Sequence, residues 1–342
     1  MRGGRQTQRL WLTPHPPFGH LLPQGEKEGR GGGGLSMPKH VAVLMGGWSN
    51  ERPVSLSSGR GCAEALRNAG YRVTEVDVDR DIYNVLRELK PDVAFNGLHG
   101  AFGESGMMQA LLELMELPYT HSGVLASALA MDKHQAKIMF KAAGIPVTDH
   151  LVLNRAEVAR AHAMPPPYVV KPIADGSSFG VFVVKAGTSH PPQEILREDW
   201  VGGEEIMVER YIPGRELTCA VMGGVALGVT EIVTDLSFYN YEAKYSEGGS
   251  RHIIPAQISP NIYEKVQKMS LKAHEVLGCR GVTRTDFRWN DSAGPDGELV
   301  CLELNTQPGM TPTSLVPEQA RYAGHSFEEL VSWMVEDASC NR

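Results

Sequence analysis

The chain has no long apolar run of the kind that a membrane span or a secretory signal requires. None of its 342 residues falls in a stretch of about 18 or more consecutive apolar residues, the length that a membrane-spanning helix requires. The early run Leu10-Trp11-Leu12 is also shorter than the roughly 7–15-residue apolar core of a secretory signal. We therefore expect a cytoplasmic protein with no membrane partner.

Cysteine is scarce, and basic residues are fewer than acidic ones. The five cysteines are scattered, odd in number and never spaced as C-x-x-C, which fits free thiols in a reducing compartment rather than a disulfide framework. The chain carries 33 lysines and arginines against 40 aspartates and glutamates, a formal net charge of −7. Because a mildly acidic chain is a poor binder of nucleic acids, we expect no nucleic-acid partner.

Composition separates a short leading segment from a long globular part. The whole chain is 42% hydrophobic and 21% charged, and its length allows two or three domains. Residues 1–36 differ from the rest, since they hold nine glycines and four prolines and carry five basic residues against two acidic ones. We predict a disordered extension over 1–36. Met37 stands directly before an ordinary strand pattern.

After Met37, strand and helix patterns alternate. Strands are predicted over 40–45, 72–78 and 92–96, with helices over 55–69 and 82–89 between them. This alternation predicts a parallel sheet whose ligands bind beyond the carboxyl ends of its strands. Two glycine-rich loops, 46–52 and 97–106, follow those ends. The first lacks the G-x-G-x-x-G spacing, so we disfavour a dinucleotide site. His99 in the second loop fits ligand contact and simple packing equally well.

The middle of the chain carries a pattern suited to phosphate. A helix predicted over 126–143 contains Met131-Asp132-Lys133, and a strand over 168–172 brings Lys171 to its end. The loop 173–181 is rich in glycine and serine, whose N–H and hydroxyl groups suit a phosphate. The loop does not match the Walker spacing, and by itself an ordinary Ser/Gly hairpin turn explains it as well.

Later segments are ambiguous when each is considered alone. A strand predicted over 206–212 and the turn after it carry Glu209 and Glu216, which alone are typical of surface charges. The polar and aromatic stretch 238–246 fits either a mobile loop over an active site or an ordinary surface loop. Further helices are predicted over 262–277 and 327–335.

Two strand patterns near the C-terminus predict a metal site. Side chains two residues apart on a strand share a face, so Arg284 and Asp286 point one way, as do Glu303 and Asn305. The turn-forming segment 290–297 between them predicts a hairpin that gathers these four side chains on one surface. Oxygen ligands of this kind suit Mg²⁺ or Mn²⁺ rather than zinc. The alternative is a solvated hairpin face with an ion pair.

Several separated motifs agree in order and spacing with one family. They are 46–55, Leu98-His99-Gly100, 117–123, Met131-Asp132-Lys133, Lys171-Pro172 with Gly176-Ser177-Ser178, Tyr239 with 242–245, Arg284-Thr285-Asp286, and 303–315. Together they span 37 to about 335, and over this range the sequence resembles the D-alanine–D-alanine ligases of the ATP-grasp superfamily. The departures are Pro53 and Ala101-Phe102, both near the expected first-substrate site.

The resemblance implies a fold class and a division into domains. The class is α/β, with an N-terminal parallel-sheet domain followed by a two-lobed ATP-grasp fold of α+β type that closes over the nucleotide. The implied boundaries place a substrate-binding domain at 37–121, a central ATP-grasp lobe at 122–208 and a C-terminal lobe with the metal and substrate site at 209–342. The resemblance also leads us to expect a homodimer.

The resemblance further implies an ATP site and a metal site. Phosphate contacts would come from Lys133, Lys171, Ser178 in the closing loop 175–180, and Lys244 from the loop 238–246. Adenine would meet Glu209 and Ile212, and the ribose would meet Glu216. Two Mg²⁺ or Mn²⁺ ions would bind Asp286, Glu303 and Asn305.

The implied substrate site lies next to those ions. Glu51 would hold the ammonium of the first D-alanine, with His99 and Glu104 nearby. Ser177 and Tyr245 would form a hydrogen-bonded set with Glu51. Arg284 and the Gly309 backbone N–H would stabilise an oxyanion, and Ser314 and Leu315 would receive the second D-alanine.

The implied activity is ATP-dependent ligation of two D-alanines through a D-alanyl phosphate, for peptidoglycan precursor synthesis. One alternative is an ATP-grasp ligase for a different carboxylate and amine, against which Tyr245 and the Glu51 motif argue. Another is a nucleotide-binding sensor without catalysis. The intact set of Arg284, Asp286, Glu303 and Asn305 argues against a sensor, which has no need of an oxyanion donor.

Overall fold

Three β-sheets follow one another along the chain in the computed structural model, which describes residues 37–234, 249–294, 296–311 and 313–341. The predicted extension 1–36 and the loop residues Lys244 and Tyr245 lie outside the described residues. Within those ranges, no helix combines the length and the apolar character needed to cross a membrane.

The first sheet is parallel, as the alternating pattern predicted. Its strands are β1 (His40–Gly46), β2 (Arg72–Val78) and β3 (Val93–Asn96), in the order β2-β1-β3. The connecting helices are α1 (Arg52–Asn68) and α2 (Ile82–Leu89), and two short helices, α3 (Ala101–Glu104) and α4 (Met107–Leu114), follow β3. Every residue of β1 and β3 is buried, which is typical of parallel strands covered on both faces. Both glycine-rich loops therefore leave this sheet at the carboxyl ends of its strands.

The second sheet is antiparallel and has four strands in the order β4-β7-β5-β6. Its strands are β4 (His150–Asn154), β5 (Tyr168–Pro172), β6 (Phe182–Val184) and β7 (Glu205–Arg210). The helices of this region are α5 (Val124–Met131), α6 (Lys133–Ala142) and α7 (Arg155–Arg160). The predicted boundary between 208 and 209 falls inside β7.

The single helix predicted over 126–143 is wrong, because the chain breaks it at Asp132. This residue has φ −81° and ψ 99°, outside the helical region, and its side chain accepts hydrogen bonds from the backbone N–H groups of His134 and Gln135. Aspartate is a preferred N-cap because its carboxylate satisfies N–H groups that the first helical turn leaves without partners. The apolar periodicity continues across the break, which is why it predicted one helix. Lys133 consequently stands at the start of α6.

The third sheet has five antiparallel strands in the order β10-β9-β8-β11-β12. They are β8 (Arg215–Met222), β9 (Val225–Val233), β10 (Arg251–Ile253), β11 (Val282–Asn290) and β12 (Glu298–Asn305), with α8 (Pro260–Val276) packed against them. β11 and β12 form the predicted hairpin.

The C-terminal helices return to the first sheet. They are α9 (Leu315–Tyr322), which was not predicted, and α10 (Phe327–Asp337). Leu330 and Val331 of α10 share one apolar core with Val41 and Val43 of β1. The loop between β12 and α9 is therefore held between the first and third sheets, close to the two glycine-rich loops.

A buried ionic cluster joins α6 to the four-stranded sheet. The Lys137 Nζ donates hydrogen bonds to the Glu209 carboxylate and to Thr148 Oγ1, and Lys171 Nζ lies 2.5 Å from the other Glu209 oxygen. Burial and the neighbouring Lys171 charge lower the pKa of Lys137. Burial alone would raise the pKa of Glu209, but Lys171 and Lys137 hold it well below its ordinary value. Each of these charges therefore depends on its partners to remain buried.

We expect Lys137→Met to lower the free energy of unfolding by about 3–5 kcal/mol, because removing one partner leaves a buried charge incompletely compensated. The matched control is Lys141→Met, one turn further along α6, where the ammonium lies 3.9 Å from Asp149 and both side chains are exposed. That exposed pair should contribute less than about 1 kcal/mol. Urea unfolding of both variants measures the difference, and equal midpoints would show that the buried cluster does not stabilise the fold.

Candidate active site

Two adjoining cavities contain all the predicted site residues that the structure describes. The larger, of about 380 Å³, lies between the four-stranded and five-stranded sheets, and the smaller, of about 70 Å³, extends it toward the first sheet. The larger is lined by Lys133, Lys171, Ser178, Glu209, Ile212, Glu216 and Asp286. The smaller is lined by Glu51, His99, Glu104, Ser177, Asn305, Gly309 and Ser314. Arg284, Glu303 and Leu315 line both, so the two cavities form one continuous site.

The serine-rich loop after β5 lies over the junction of the two cavities. Ser177 and Ser178 have positive φ values of 51° and 59°, in the left-handed region that residues other than glycine seldom adopt. Lys133 Nζ donates to the Asp175 carbonyl at 2.5 Å and lies 3.3 Å from Glu303 Oε2. The start of α6 therefore holds this loop next to the β11–β12 hairpin.

The hairpin presents the predicted oxygen ligands on one face. Asp286 lies directly across from Glu303, and Arg284 lies across from Asn305. A bulge follows this pair, because the next partner of Phe287 is Cys301 and β12 has one extra residue at this point. Bulges re-aim side chains and are common beside active sites. The extra residue separates the end of the hairpin that carries the predicted ligands from the regularly paired part, which runs from Phe287 and Cys301 to Asn290 and Glu298.

Asp286 has several hydrogen-bond partners. Its carboxylate accepts from the Arg284 guanidinium at 2.8 and 2.9 Å, from Thr218 Oγ1 at 2.7 Å and from Asn305 Nδ2 at 3.1 Å. The alternation of the strands predicted the first and last contacts. Thr218 was missed because β8 is distant in sequence and becomes the neighbour of β11 only in the folded sheet.

The donor set fits a hard divalent cation. Asp286 lines the larger cavity, Asn305 the smaller one and Glu303 both. Mg²⁺ ordinarily takes one or two protein carboxylates and completes its shell with water and phosphate. Among the described residues, no group of three or more His, Cys, Asp or Glu side chains is placed to hold a metal by itself.

The smaller cavity is strongly acidic. Burial, together with the neighbouring Glu104 carboxylate, raises the pKa of Glu51, and burial raises the pKa of Asp175. Burial alone would lower the pKa of His99, but Glu104 and Glu51 raise it above its ordinary value. The His99 Nδ1 lies 3.5 Å from Glu104 Oε1. A cationic group entering this cavity would meet several carboxylates held close together.

Glu51 is positioned to bind such a cation. Its Oε1 accepts a hydrogen bond from the Ser177 hydroxyl, whereas Oε2 is buried without a hydrogen-bond partner among the described residues. A buried carboxylate oxygen left unpaired is costly, and an ammonium group satisfies it well. The Asp175 charge also contributes to the raised pKa of Glu51. The sequence did not predict this effect, because only the folded loop brings the two carboxylates near each other.

The loop after β12 forms the far wall of the smaller cavity. Ser314 Oγ accepts from the Thr311 N–H at 3.0 Å, and a Cβ on Gly309 would lie 2.9 Å from that oxygen, so only glycine fits there without displacement. Gln307, to which the sequence analysis assigned no role, is buried and donates to the Leu98 carbonyl while accepting from Asn96 Nδ2 at 2.6 Å. These bonds fix the loop against the end of β3.

The structure accommodates both departures from the family pattern. Pro53 occupies the first turn of α1, where its missing N–H costs nothing. Phe102 packs on Trp48 with ring centroids 4.1 Å apart, joining the two glycine-rich loops. Neither feature conflicts with the arrangement of Glu51 and His99.

Comparison with known proteins agrees with this geometry. A family model for the D-ala D-ala ligase C-terminus matches residues 139–336. The D-alanine--D-alanine ligase of Rhizobium meliloti (strain 1021) is 64% identical over 305 residues, covering 89% of this chain and 99% of that protein. The enzyme of the same name from Parvibaculum lavamentivorans is 61% identical over 308 residues, covering 90% of this chain and all of that protein.

Solved structures share the fold. The D-alanine--D-alanine ligase from Bacillus anthracis complexed with ATP is 28% identical with a TM-score of 0.72, covering 88% of this chain and 97% of that one. The VanG D-Ala:D-Ser ligase from Enterococcus faecalis is 27% identical with a TM-score of 0.70, covering 88% and 99%. The predicted fold class, a parallel-sheet domain followed by an ATP-grasp fold, is thereby confirmed. On the family model and on relatives matched over nearly their whole length, the chain belongs to the D-alanine–D-alanine ligase family.

Proposed function

We propose that this protein joins two D-alanines to form D-alanyl-D-alanine, with conversion of ATP to ADP and phosphate, for peptidoglycan precursor synthesis in the cytoplasm. One observation carries the proposal: Arg284 and Glu303 line both the larger cavity and the acidic smaller cavity. A phosphate-binding region and an ammonium-binding region therefore meet at the place where a phosphoryl group has to be transferred.

The larger cavity is the proposed nucleotide site. Phosphates would be bound by Lys133, Lys171 and Ser178, adenine by Glu209 and Ile212, and ribose by Glu216. The contacts of Glu209 with Lys137 and Lys171 support the placement of Lys171, because they fix its ammonium at the cavity wall. Lys244, outside the described residues, would reach the phosphates from the loop that contains it.

The junction of the cavities is the proposed metal site. Asp286, Glu303 and Asn305 would hold two Mg²⁺ or Mn²⁺ ions. When bound, the ions would neutralise charge on the transferring phosphoryl group. The oxygen-only donor set on one hairpin face supports this assignment.

The chemistry proceeds in two steps in this proposal. Glu51 binds the ammonium of the first D-alanine, so that the carboxylate of this D-alanine faces the γ-phosphate of ATP. A carboxylate oxygen attacks phosphorus and ADP leaves, which gives D-alanyl phosphate. The amine of the second D-alanine, placed by Ser314 and Leu315, then attacks the carbonyl carbon. The proton that this amine loses leaves with the phosphate, so hydrogen phosphate departs as the amide bond forms.

The tetrahedral intermediate of the second step needs donors for its oxyanion. The Arg284 guanidinium and the Gly309 backbone N–H are the proposed donors, since oriented donors stabilise developing charge most strongly in a site that excludes water. His99 and Glu104 would orient the first substrate beside Glu51. Tyr245, outside the described residues, would complete the hydrogen-bonded set with Ser177 and Glu51.

A homodimer is part of the proposal. Its support is three exposed apolar side chains, Met107 and Leu114 on α4 and Leu125 on α5, the helix that contacts α4. Soluble monomers seldom expose large apolar side chains together, and such groups commonly mark contacts between subunits.

A second candidate keeps the chemistry and changes the acceptor, because one structural relative is a D-Ala:D-Ser ligase. A product assay with ATP and D-alanine, alone or with L-alanine, D-serine or D-lactate, separates the candidates. We expect D-alanyl-D-alanine to be the main product and its formation to match ADP release. A mixed D-alanyl-D-serine product would favour the second candidate, and ATP binding without any product would indicate a sensor.

Glu303→Gln should reduce dipeptide formation by about 10²-fold or more, because it removes charge from the proposed metal and phosphate junction. Glu298→Gln at the other end of β12 is the matched control, since Glu298 pairs with Arg210 at the protein surface. Steady-state rates at saturating Mg²⁺ and ATP give the comparison, with thermal unfolding as the check on the fold. Similar rates of dipeptide formation for the two variants would show that Glu303 is not part of the metal site.

The first D-alanine should bind progressively worse as pH falls through the raised pKa of Glu51. Burial and Glu104 raise this pKa, so the carboxyl group becomes protonated at a higher pH than an ordinary glutamate and loses its attraction for an ammonium. Glu51→Gln should raise KM for the first D-alanine by about ten- to hundredfold and flatten its dependence on acidic pH.

The matched control for Glu51→Gln is Glu64→Gln, an exposed position on the adjoining helix α1. It should keep the wild-type pH profile of KM. The prediction requires the pH profile of KM to change in Glu51→Gln and not in Glu64→Gln. An unchanged profile in Glu51→Gln would assign the rise of KM at acidic pH to other groups, among them His99, Glu104 and Asp175.

A further inference from the structure

One arginine holds the turn that connects the two sheets around the larger cavity. The chain leaves β7 after Arg210 and enters β8 at Arg215, and we call residues 211–214 between them the hinge. Arg288 of β11 donates from Nε to the Ile212 carbonyl at 3.1 Å and from Nη2 to the Gly214 carbonyl at 2.9 Å. Its guanidinium carbon also lies 5.8 Å from the centre of the Tyr211 ring. The guanidinium thus contacts most of the hinge.

The hinge rests directly on the end of β11. Gly214 has φ +97°, and a Cβ there would lie 2.3 Å from the Trp289 carbonyl oxygen and 2.9 Å from Asn290 Cα. Any larger residue would therefore push the hinge away from the strand. This close contact is what brings the Ile212 and Gly214 carbonyls within reach of Arg288.

Arg288 also reaches the carboxylate beside the hinge. Its Nη1 lies 3.4 Å from Glu216 Oε2, and both side chains are less than one-fifth exposed at the wall of the larger cavity. A guanidinium presents several donors in a fixed fork, so one side chain can orient two carbonyls and a carboxylate together. A lysine ammonium in the same place would be a single flexible point of charge.

The position of Arg288 on its strand connects it to the rest of the site. Alternate residues of a strand share a face, and Arg284, Asp286 and Arg288 follow one another on the face of β11 that lines the cavity. The first two belong to the proposed transfer centre. The third stands two residues further along, next to Ile212 and Glu216, where the proposed function places adenine and ribose.

We propose that Arg288 is a positioning residue for the nucleotide, and that by orienting Glu216 it sets the preference for a ribose that carries both hydroxyl groups. The inference rests on the proposed ATP site. A carboxylate held by a guanidinium on one oxygen has a fixed plane and accepts hydrogen bonds from ribose hydroxyls in one direction. Without Arg288, the Glu216 carboxylate and the two hinge carbonyls would lose these contacts.

A purely structural clamp makes a different prediction. Such a clamp would lower thermal stability and kcat for every nucleotide alike, whereas a positioning residue changes the KM for nucleotide and the discrimination between sugars. The comparison therefore uses ATP, 2′-deoxyATP and 3′-deoxyATP as phosphoryl donors, with dipeptide formation as the readout.

For Arg288→Met, we expect the KM for ATP to rise about tenfold, as the loss of several charge-assisted hydrogen bonds predicts, with kcat and the KM for D-alanine nearly unchanged. Wild type should have a higher kcat/KM with ATP than with at least one of the two deoxynucleotides. In Arg288→Met, the ratio of these two kcat/KM values should fall toward one. Arg288→Lys, which keeps the charge without the fork, should lie between wild type and Arg288→Met, and it provides the test if the methionine variant does not fold.

Two further variants complete the design. Arg197→Met removes a solvent-exposed arginine paired with Asp199 and should match wild type in every parameter. Glu216→Gln should lose the same sugar discrimination, and adding Arg288→Met to it should cause little further loss if the two residues act together.

Wild-type dipeptide formation with ATP tests the proposed function separately, so its absence would end that proposal before Arg288 is considered. With active wild type, the inference is overturned by retained sugar discrimination in Arg288→Met and Arg288→Lys. A fall in kcat with an unchanged KM for ATP would also overturn it, as would a wild type that does not distinguish the three nucleotides.

Discussion

The register of the β11–β12 hairpin is the constraint on which the site depends. It places Asp286 opposite Glu303 and Arg284 opposite Asn305, so two acidic ligands and one basic group converge without any long loop to hold them. A one-residue shift of β12 alone would turn Glu303 and Asn305 to the face opposite Asp286 and Arg284. The neighbouring strand β8 reinforces the register, since Thr218 donates to Asp286 at 2.7 Å. The paired strands therefore fix the position of the proposed transfer site.

The remaining parts of the molecule are arranged around that strand pair. Lys133, at the start of α6, lies 3.3 Å from Glu303, and the buried Glu209 fixes Lys171 at the opposite wall. Charges that are costly to bury are tolerated only as a connected set, and the same set brings positive charge to the place proposed for the phosphates. The contacts that hold these buried charges are therefore also the ones that position the proposed phosphate ligands.

Much of the site followed from sequence, and the reasons for the omissions are physical. Strand alternation is local, so the amino-acid sequence alone was enough to predict the shared faces of Arg284 with Asp286 and of Glu303 with Asn305. Contacts that depend on tertiary neighbours could not be predicted in this way, which explains why Thr218 was missed. The helix break at Asp132 was also missed, because the apolar period continues through it while the capping carboxylate interrupts the backbone. Motif resemblance, rather than periodicity, supplied the roles of Glu51 and Ser314.

The central claim is that the hairpin face and the acidic cavity form one transfer site. Its most direct test is anomalous diffraction from Mn²⁺ in crystals grown with a non-hydrolysable ATP analogue and D-alanine. The account predicts manganese peaks within coordination distance of Asp286 and Glu303, between the nucleotide phosphates and a D-alanine whose ammonium contacts Glu51. Manganese bound elsewhere, or an amino acid outside the acidic cavity, would contradict it.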